Sequence, residues 1–446
     1  MMNYSEARDY IERASKRGIR PGLERIRRLM RDLGDVQDQI PVIHVAGTNG
    51  KGSVCTMISA MLMAMGRHVG RYISPSVLGY RERFQLDGQW IDKAVYAALM
   101  SRIAAVIAAD DDFKEDRPTA FEIETALAYL YFAECHCDYA VVEVGMGGRL
   151  DATNIIKAPL VSVITPISMD HMAFLGDSPQ AIAREKAGII KDGRPVVTGF
   201  QTEVVSGVLR QVAADRQAPF FYVDASGLKP ERADIIGGQD FSWDTFEGLH
   251  LNMPAAYQLR NAALAIETVR LLCGPDNEDA KDVEPGPVYK NRLTFEEAVR
   301  QGLAAAYWPG RFEVLGRSPM IIADGAHNPD GAKALAEALS AYPAQGRRIF
   351  MMGVFKDKDY GAMLEILKPL ANAMLFYPAP GERGLDPRIL SGQVQASLAF
   401  DSQQAAFAYA CTIARDCDII IACGSLSTIK GLKGLLSRQE KTFTSK

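Results

Sequence analysis

Short, uninterrupted apolar runs, each followed by a longer stretch of helical periodicity, set the narrowest limit on what this chain can fold into. VIHVA (42–46), VGRYI (69–73), YAVVEV (139–144), LVSVIT (160–165) and PVVTG (195–199) read as strands apolar on both faces. Amphipathic stretches at 54–65, 93–109, 121–135 and 181–190 lie between them. Such strands, joined through helices, make a mostly parallel sheet covered on both faces. A second series, MIIAD (320–324), RIFMMG (348–353), AMLFY (373–377) and DIIIAC (418–423), begins after Trp308 and predicts a smaller Rossmann-like α/β unit. Residues 274–292, polar and rich in Pro and Gly, read as a surface excursion, and a helix over 294–306 leads into a hinge at 307–310. The expected architecture is therefore α/β with two domains, residues 1–306 and 307–446.

Bulk properties exclude several classes. At 446 residues the chain has room for two or three cores, and 48% hydrophobic with 23% charged residues is ordinary globular composition. A net charge of -4 gives no general attraction to nucleic acid or to an anionic membrane. No apolar run approaches the roughly 18 residues of a membrane span. The N-terminus lacks an apolar h-region, and Glu6, Asp9 and Glu12 argue against a transit peptide, so a cytoplasmic chain is expected. Seven cysteines without a CxxC pair, Cys135-His136-Cys137 included, read as reduced structural thiols. Leu23, Ile26, Met30 and Leu33 form one helical stripe, which leaves Arg25, Arg27, Arg28 and Arg31 on a solvated face.

The run HVAGTNGKGSV (44–54) lies where the first strand opens into a helix. Backbone N–H groups from Asn49 to Ser53 and the helix N-terminus suit a phosphate, Gly47, Gly50 and Gly52 permit the tight turn, and Lys51 would reach the terminal phosphates. The spacing departs from GxxxxGK[ST], with Gly52 after the lysine and Ser53 one place late. A structural turn carrying a chance lysine is the competing reading. Polar groups following other strands favour the nucleotide: Ser74 after VGRYI, Glu143 ending YAVVEV, and Asp170 and His171 after LVSVIT. Side chains at the carboxyl ends of parallel strands converge on one edge, where open α/β sheets bind ligands. This makes the first domain a P-loop ATPase unit with groups able to hold Mg²⁺.

The ordered set HVAGTNGKGS, YISPS, YRERF, TAFEIETALAYLYF, VVEVGMGGRLDATN, ISMDHMAFLG, REKAGIIK, NAALAI, WPGRFEV and DGAHNPDGA resembles the folylpolyglutamate synthase and dihydrofolate synthase family of the Mur ligase superfamily. The resemblance covers almost the whole chain, and that family carries glycine after the loop lysine. It implies that Asn49, Gly50, Lys51, Gly52 and Ser53 hold the ATP phosphates, with Asn261 near the adenine. Ser53, Ser74, Glu143 and His171 would serve two Mg²⁺ ions, and Lys186 would carry a carbamate. Arg311 would reach the phosphates from the hinge, and Asp324 and His327 would contact the nucleotide from the second domain. Lys51, Lys186, His171 and Arg311 form the implied catalytic set. Thr119, Phe121, Glu122, Leu150, Asp151 and Ala152 would meet a pterin-bearing substrate. One departure is Ser76, which stands where the family reads histidine after Ser-Pro.

The implied activity is a ligase reaction. ATP phosphorylates the carboxylate of a folate or of dihydropteroate, L-glutamate attacks the acyl phosphate, and phosphate leaves, with the protein acting as a monomer. Another amide ligase of the superfamily, using a muropeptide or other carboxylate, is the alternative, and a nucleotide-driven binding module is a third reading. Gly52 and the TAFE motif favour the folate branch.

Overall fold

The computed structural model describes residues 1–275, 293–343 and 345–444. The large sheet has eight strands: β1 (Val42–Ala46), β2 (Val69–Tyr72), β3 (Phe84–Leu86), β4 (Gln89–Trp90), β5 (Tyr139–Glu143), β6 (Val161–Ile164), β7 (Val196–Gly199) and β8 (Phe220–Val223). Their spatial order is β4-β3-β2-β5-β1-β6-β7-β8. In that order every pairing from β2 to β8 is parallel, and the β2–β3 and β3–β4 pairings at the other edge are antiparallel. The expected strands recur within a residue of their predicted ends, and β1 keeps both ends.

Alternation along β1 divides the core into two layers, because successive side chains of a strand face opposite ways. Val42 joins Ile11, Ile26, Met100 and Leu127 beneath the helices Tyr4–Ser15, Glu24–Asp32, Lys93–Ala109 and Ala120–Glu134. Ile43 and Val45 join Met57, Ile58, Leu264 and Leu303 beneath the helices Lys51–Ala64, Tyr257–Cys273 and Phe295–Ala305. Helices Pro179–Ala187 and Glu203–Asp215 close a further layer with Ile182 and Leu209.

A three-stranded antiparallel sheet, β9 (Leu228–Asp234), β10 (Gly238–Trp243) and β11 (Phe246–Leu251), was not expected. Phe241, Trp243, Leu249 and Leu251 bury one face of it, while the Asp- and Gly-rich turns between them masked the alternation. The last sheet has six strands: β12 (Glu313–Arg317), β13 (Met320–Ala323), β14 (Arg348–Met352), β15 (Ala373–Phe376), β16 (Ser397–Ala399) and β17 (Ile419–Cys423). Its order is β12-β13-β17-β14-β15-β16, with β12 antiparallel and the rest parallel. Leu335 and Met363 pack on one face, Phe407 and Ile429 on the other. The fold is thus the expected mixed α/β arrangement with a second, C-terminal sheet.

On the arginine face, Arg27 and Arg31 are exposed as expected, and Arg25 is a correction. Arg25 does not lie in solvent: its side chain is 10% exposed, and its Nε donates to both Glu122 oxygens at 3.1 Å. Helical spacing placed it off the apolar stripe, but a long side chain can turn inward when a buried acid waits there. Arg28 pairs with Asp110 at 2.6 Å and also with Asp112. The predicted excursion at 274–292 lies, from residue 276 on, outside the described residues. Among the described residues, no helix is long and apolar enough to cross a membrane.

Candidate active site at the carboxyl edge of the large sheet

Register fixes the site before any side chain does. Val45 of β1 stands opposite Glu143 of β5 and opposite Val163 of β6. The loops leaving these strands therefore emerge side by side. Gly47 and Gly50 take φ of 145° and 90°, and Gly50 in that left-handed conformation starts the helix at Lys51, earlier than periodicity had placed it. Side chains at these positions would be strained, and a Cβ on Gly47 would also collide with the Thr165 hydroxyl. The hydroxyl of Thr165 donates to the Asn49 carbonyl at 2.7 Å, and Thr48 accepts from Ser168 N–H at 3.0 Å, which staples the loop after β6 to the glycine-rich loop.

Lys51 folds back on that loop and donates to the carbonyls of Gly47 (3.1 Å) and Thr48 (3.2 Å). Lys186 donates to the same Gly47 carbonyl at 2.8 Å and is 4% exposed. Burial, and then the Lys51 charge, lower the Lys186 amine to about 7. Its helix, Pro179–Ala187, is brought here by close packing: Arg149 N–H donates to the Glu185 carbonyl at 2.7 Å, and a Cβ on Gly148 would meet that carbonyl at 2.7 Å.

Glu143 accepts from Ser74 N–H at 3.2 Å, and burial raises its pKa against the pull of Lys51 and Arg311. Asp170 and His171 are reached by a loop beyond β6 rather than at the strand end itself. His171 sits at φ 53°, a conformation rare outside glycine, and burial lowers it to about 4, leaving a neutral imidazole with a free lone pair near neutral pH. Gly47, Lys51, Gly52, Ser74, Glu143, His171, Lys186, Arg311 and His327 all line one cavity of about 100 Å³.

Other predicted residues stand just behind it. Ser53 is buried in the first helical turn, and Asn49 exchanges hydrogen bonds with Asn328 at 3.2 and 3.3 Å. Asn261 packs against Gly50, where a Cβ would lie 2.5 Å from its Oδ1. Asp324 is already occupied, accepting from Phe312 N–H (2.8 Å), Ala326 N–H (2.8 Å) and the Tyr257 hydroxyl (3.0 Å). It braces the segment that carries Arg311.

A second cavity of about 370 Å³ shares Ser74, Pro75, Gly145, Met146, Gly147 and Leu175 with the first. Thr119, Phe121, Glu122, Leu150, Asp151 and Ala152 all line it. Phe121 lies against Gly145, where a Cβ would meet its ring at 2.4 Å, and stacks on Tyr72 with ring centroids 6.1 Å apart. The carboxylates are less free than the sequence implied. Glu122 accepts from Arg25 and from Thr119 N–H (2.6 Å), and Asp151 accepts from Met146 N–H (2.8 Å) and from Thr153. Arg83, Phe174 and Trp308 also line these cavities without having been singled out. Arg83 and Trp308 lay within YRERF and WPGRF, but a lone arginine or tryptophan carries no local signal of what it faces.

Trp308 explains the glycine after the lysine. A Cβ on Gly52 would stand 2.7 Å from the Trp308 ring, so Gly52 is the space that ring occupies. Two basic groups over a glycine-rich loop, a buried acid, a neutral histidine and an adjoining apolar cleft define the class as a nucleotide-dependent enzyme of the α/β type.

Family comparisons make that class specific. The Mur ligase middle domain matches residues 45–269, and the glutamate ligase domain of Mur ligases matches residues 310–426. The chain belongs to the Mur ligase family and, within it, to the folylpolyglutamate synthase/dihydrofolate synthase branch. It is 38% identical over 379 residues, 84% of each chain, to the dihydrofolate synthase/folylpolyglutamate synthase of Bacillus subtilis. Escherichia coli FolC in complex with DHPP and ADP superposes with a TM-score of 0.84 at 31% identity, over 98% of this chain and 99% of that one. A bifunctional folylpolyglutamate synthase/dihydrofolate synthase with Mn, AMPPNP and L-glutamate bound gives 0.81 at 30% identity, over 98% of each.

The Gly52–Trp308 contact gives a direct test. Gly52→Ala should lower turnover at least about tenfold and reduce nucleotide affinity, because the ring and its linker must shift. Adding Trp308→Leu should recover part of the loss. Unchanged kinetics in Gly52→Ala would show that the contact does not constrain the loop.

Proposed function

We propose that this chain is an ATP-dependent ligase that joins L-glutamate to the carboxylate of a folate, and also of dihydropteroate, releasing ADP and phosphate. One observation carries the reading: the cavity lined by Lys51, Glu143, His171, Lys186 and Arg311 adjoins the apolar cleft of Phe121 and Ala152, the two sharing the wall of Ser74, Pro75, Gly145, Met146, Gly147 and Leu175. A bicyclic aromatic substrate held in the cleft would present its carboxylate to a phosphoryl group on the glycine-rich loop. The Mn-, AMPPNP- and L-glutamate-bound relative supports the same assignment of substrates.

In this reading residues 1–306 bind ATP and the folate, residues 307–446 form the lid, and the protein works as a monomer. The N–H groups of residues 49–53 and the Lys51 ammonium hold the phosphates, with Lys51 exchanging its own loop carbonyls for phosphate oxygens. Arg311 faces the charge that develops on the transferred phosphoryl group. Glu143, Ser74, Ser53 and the neutral His171 supply oxygen and nitrogen donors suited to Mg²⁺, which when bound shields the phosphate charge. The substrate carboxylate oxygen attacks the terminal phosphorus and ADP leaves. The glutamate amine then attacks the acyl carbon of the mixed anhydride, and phosphate departs as the amide forms. Holding the reactants in line supplies about 7–11 kcal/mol of the barrier reduction.

Lys186, lowered to about 7, presents a neutral amine that can add CO₂ with loss of a proton, giving a carbamate that turns a buried cation into an anion beside the metal donors. The Phe121 cleft, not a wide polar groove for a muropeptide, favours the folate substrates over the other amide ligases of the family.

Glutamate-dependent ADP release with dihydropteroate and with tetrahydrofolate tests the activity. Turnover with at least one is expected, with loss of at least about 10²-fold in Lys51→Ala. ATP hydrolysis that ignores glutamate would instead support a nucleotide-driven binding module. A second outcome concerns the carbamate. Because the amine is neutral only above its lowered pKa, incorporation of isotopically labelled bicarbonate into the chain should rise from about pH 6 to about pH 8 and vanish in Lys186→Gln. Full activity at the higher pH without label would remove the carbamate from the account.

A further inference from the structure

Asp170 has no role in the scheme above, yet its carboxylate meets two loops of the second sheet. Lys358, in the turn following β14, donates to its Oδ1 at 2.8 Å. Asn328, at the start of helix Pro329–Ala341, donates to its Oδ2 at 3.2 Å, and His327 Nε2 stands 3.7 Å from the same oxygen. The Asp170 and Lys358 side chains are 10% and 8% exposed, so the pair is held largely out of water.

Both ends of this pair are anchored to functional loops. On the large-sheet side, Asp170 precedes His171 in the loop that Thr48 and Ser168 staple to the phosphate loop. On the other side, Asn328 also exchanges hydrogen bonds with Asn49, so the phosphate loop and Asp170 hold the same residue. His327 lines the cavity beside Arg311. A buried ion pair is a poor source of net stability, because desolvation offsets most of the attraction. What it supplies is geometry: only one placement of the second sheet brings Lys358, Asn328 and His327 to one carboxylate.

We propose that Asp170 is a positioning residue, and that its pairing with Lys358 sets the placement of the second domain over the phosphate loop in which phosphoryl transfer occurs. Substrates bind without the pair; they do not react at full rate. The kinetic part of this inference rests on the ligase reading, and the structural part does not.

The experiment uses the full chain and the variants Asp170→Asn, Lys358→Gln, the double variant and Asp170→Glu. Each neutral single variant should lose roughly 10- to 100-fold in kcat, while KM for ATP changes less than about threefold. The double variant should fall no further than the worse single one, as a shared interaction requires, and Asp170→Glu should recover part of the rate. Small-angle X-ray scattering with a non-hydrolysable ATP analogue and Mg²⁺ should show a compact wild type and a larger radius of gyration for Asp170→Asn, with circular dichroism unchanged. A kcat within about twofold of wild type, multiplying losses in the double variant, or equal compaction would each overturn the proposal. Wild-type protein without glutamate-dependent turnover would sink the ligase reading, and scattering would still decide the placement.

Discussion

Parallel pairing of β1 with β5 on one side and β6 on the other is the constraint on which the rest of this molecule depends. Because Val45 shares its level with both Glu143 and Val163, the glycine-rich loop, the Glu143 loop and the Asp170–His171 loop leave the sheet together. An antiparallel partner at either position would send one of them to the opposite edge. The short hydrogen bonds among Thr165, Asn49, Thr48 and Ser168 then hold loops that register alone would only bring close.

Charge decides how the site rests and what it awaits. Lys51 and Lys186 converge on the Gly47 carbonyl, with Arg311 lining the same cavity; Glu143 is buried among them, while Asp170, on the same lining, is already paired with Lys358. Crowded cations in a desolvated pocket cost free energy, which appears as the lowered Lys186 amine. On the proposed function, a polyphosphate would relieve that imbalance.

Much of this was legible in the chain. Continuous apolar runs declared β1, β5, β6 and β17 because strands buried on both faces need no alternation to be seen. The cavity residues at strand ends followed from one geometric rule, and the motif set brought in Lys186, whose helix carries no local sign of function. The antiparallel β9–β11 sheet was missed because its apolar positions are interrupted by Asp and Gly, and Arg25 because helical periodicity describes where a Cβ points, not where a guanidinium ends. Glu122 and Asp151 line the larger cavity and Asp324 stands behind the smaller one, yet the oxygens of all three are engaged by neighbouring donors. Satisfaction of a buried acid is a tertiary fact that no spacing reveals.

The central claim is that one sheet edge gathers a triphosphate, its metal and the acid to be activated. Anomalous diffraction from crystals grown with Mn²⁺ and a non-hydrolysable ATP analogue tests it most directly. The account predicts manganese between Glu143 and His171, with the phosphates on the loop from Asn49 to Ser53. Manganese bound away from both residues, or phosphates seated on another loop, would contradict it.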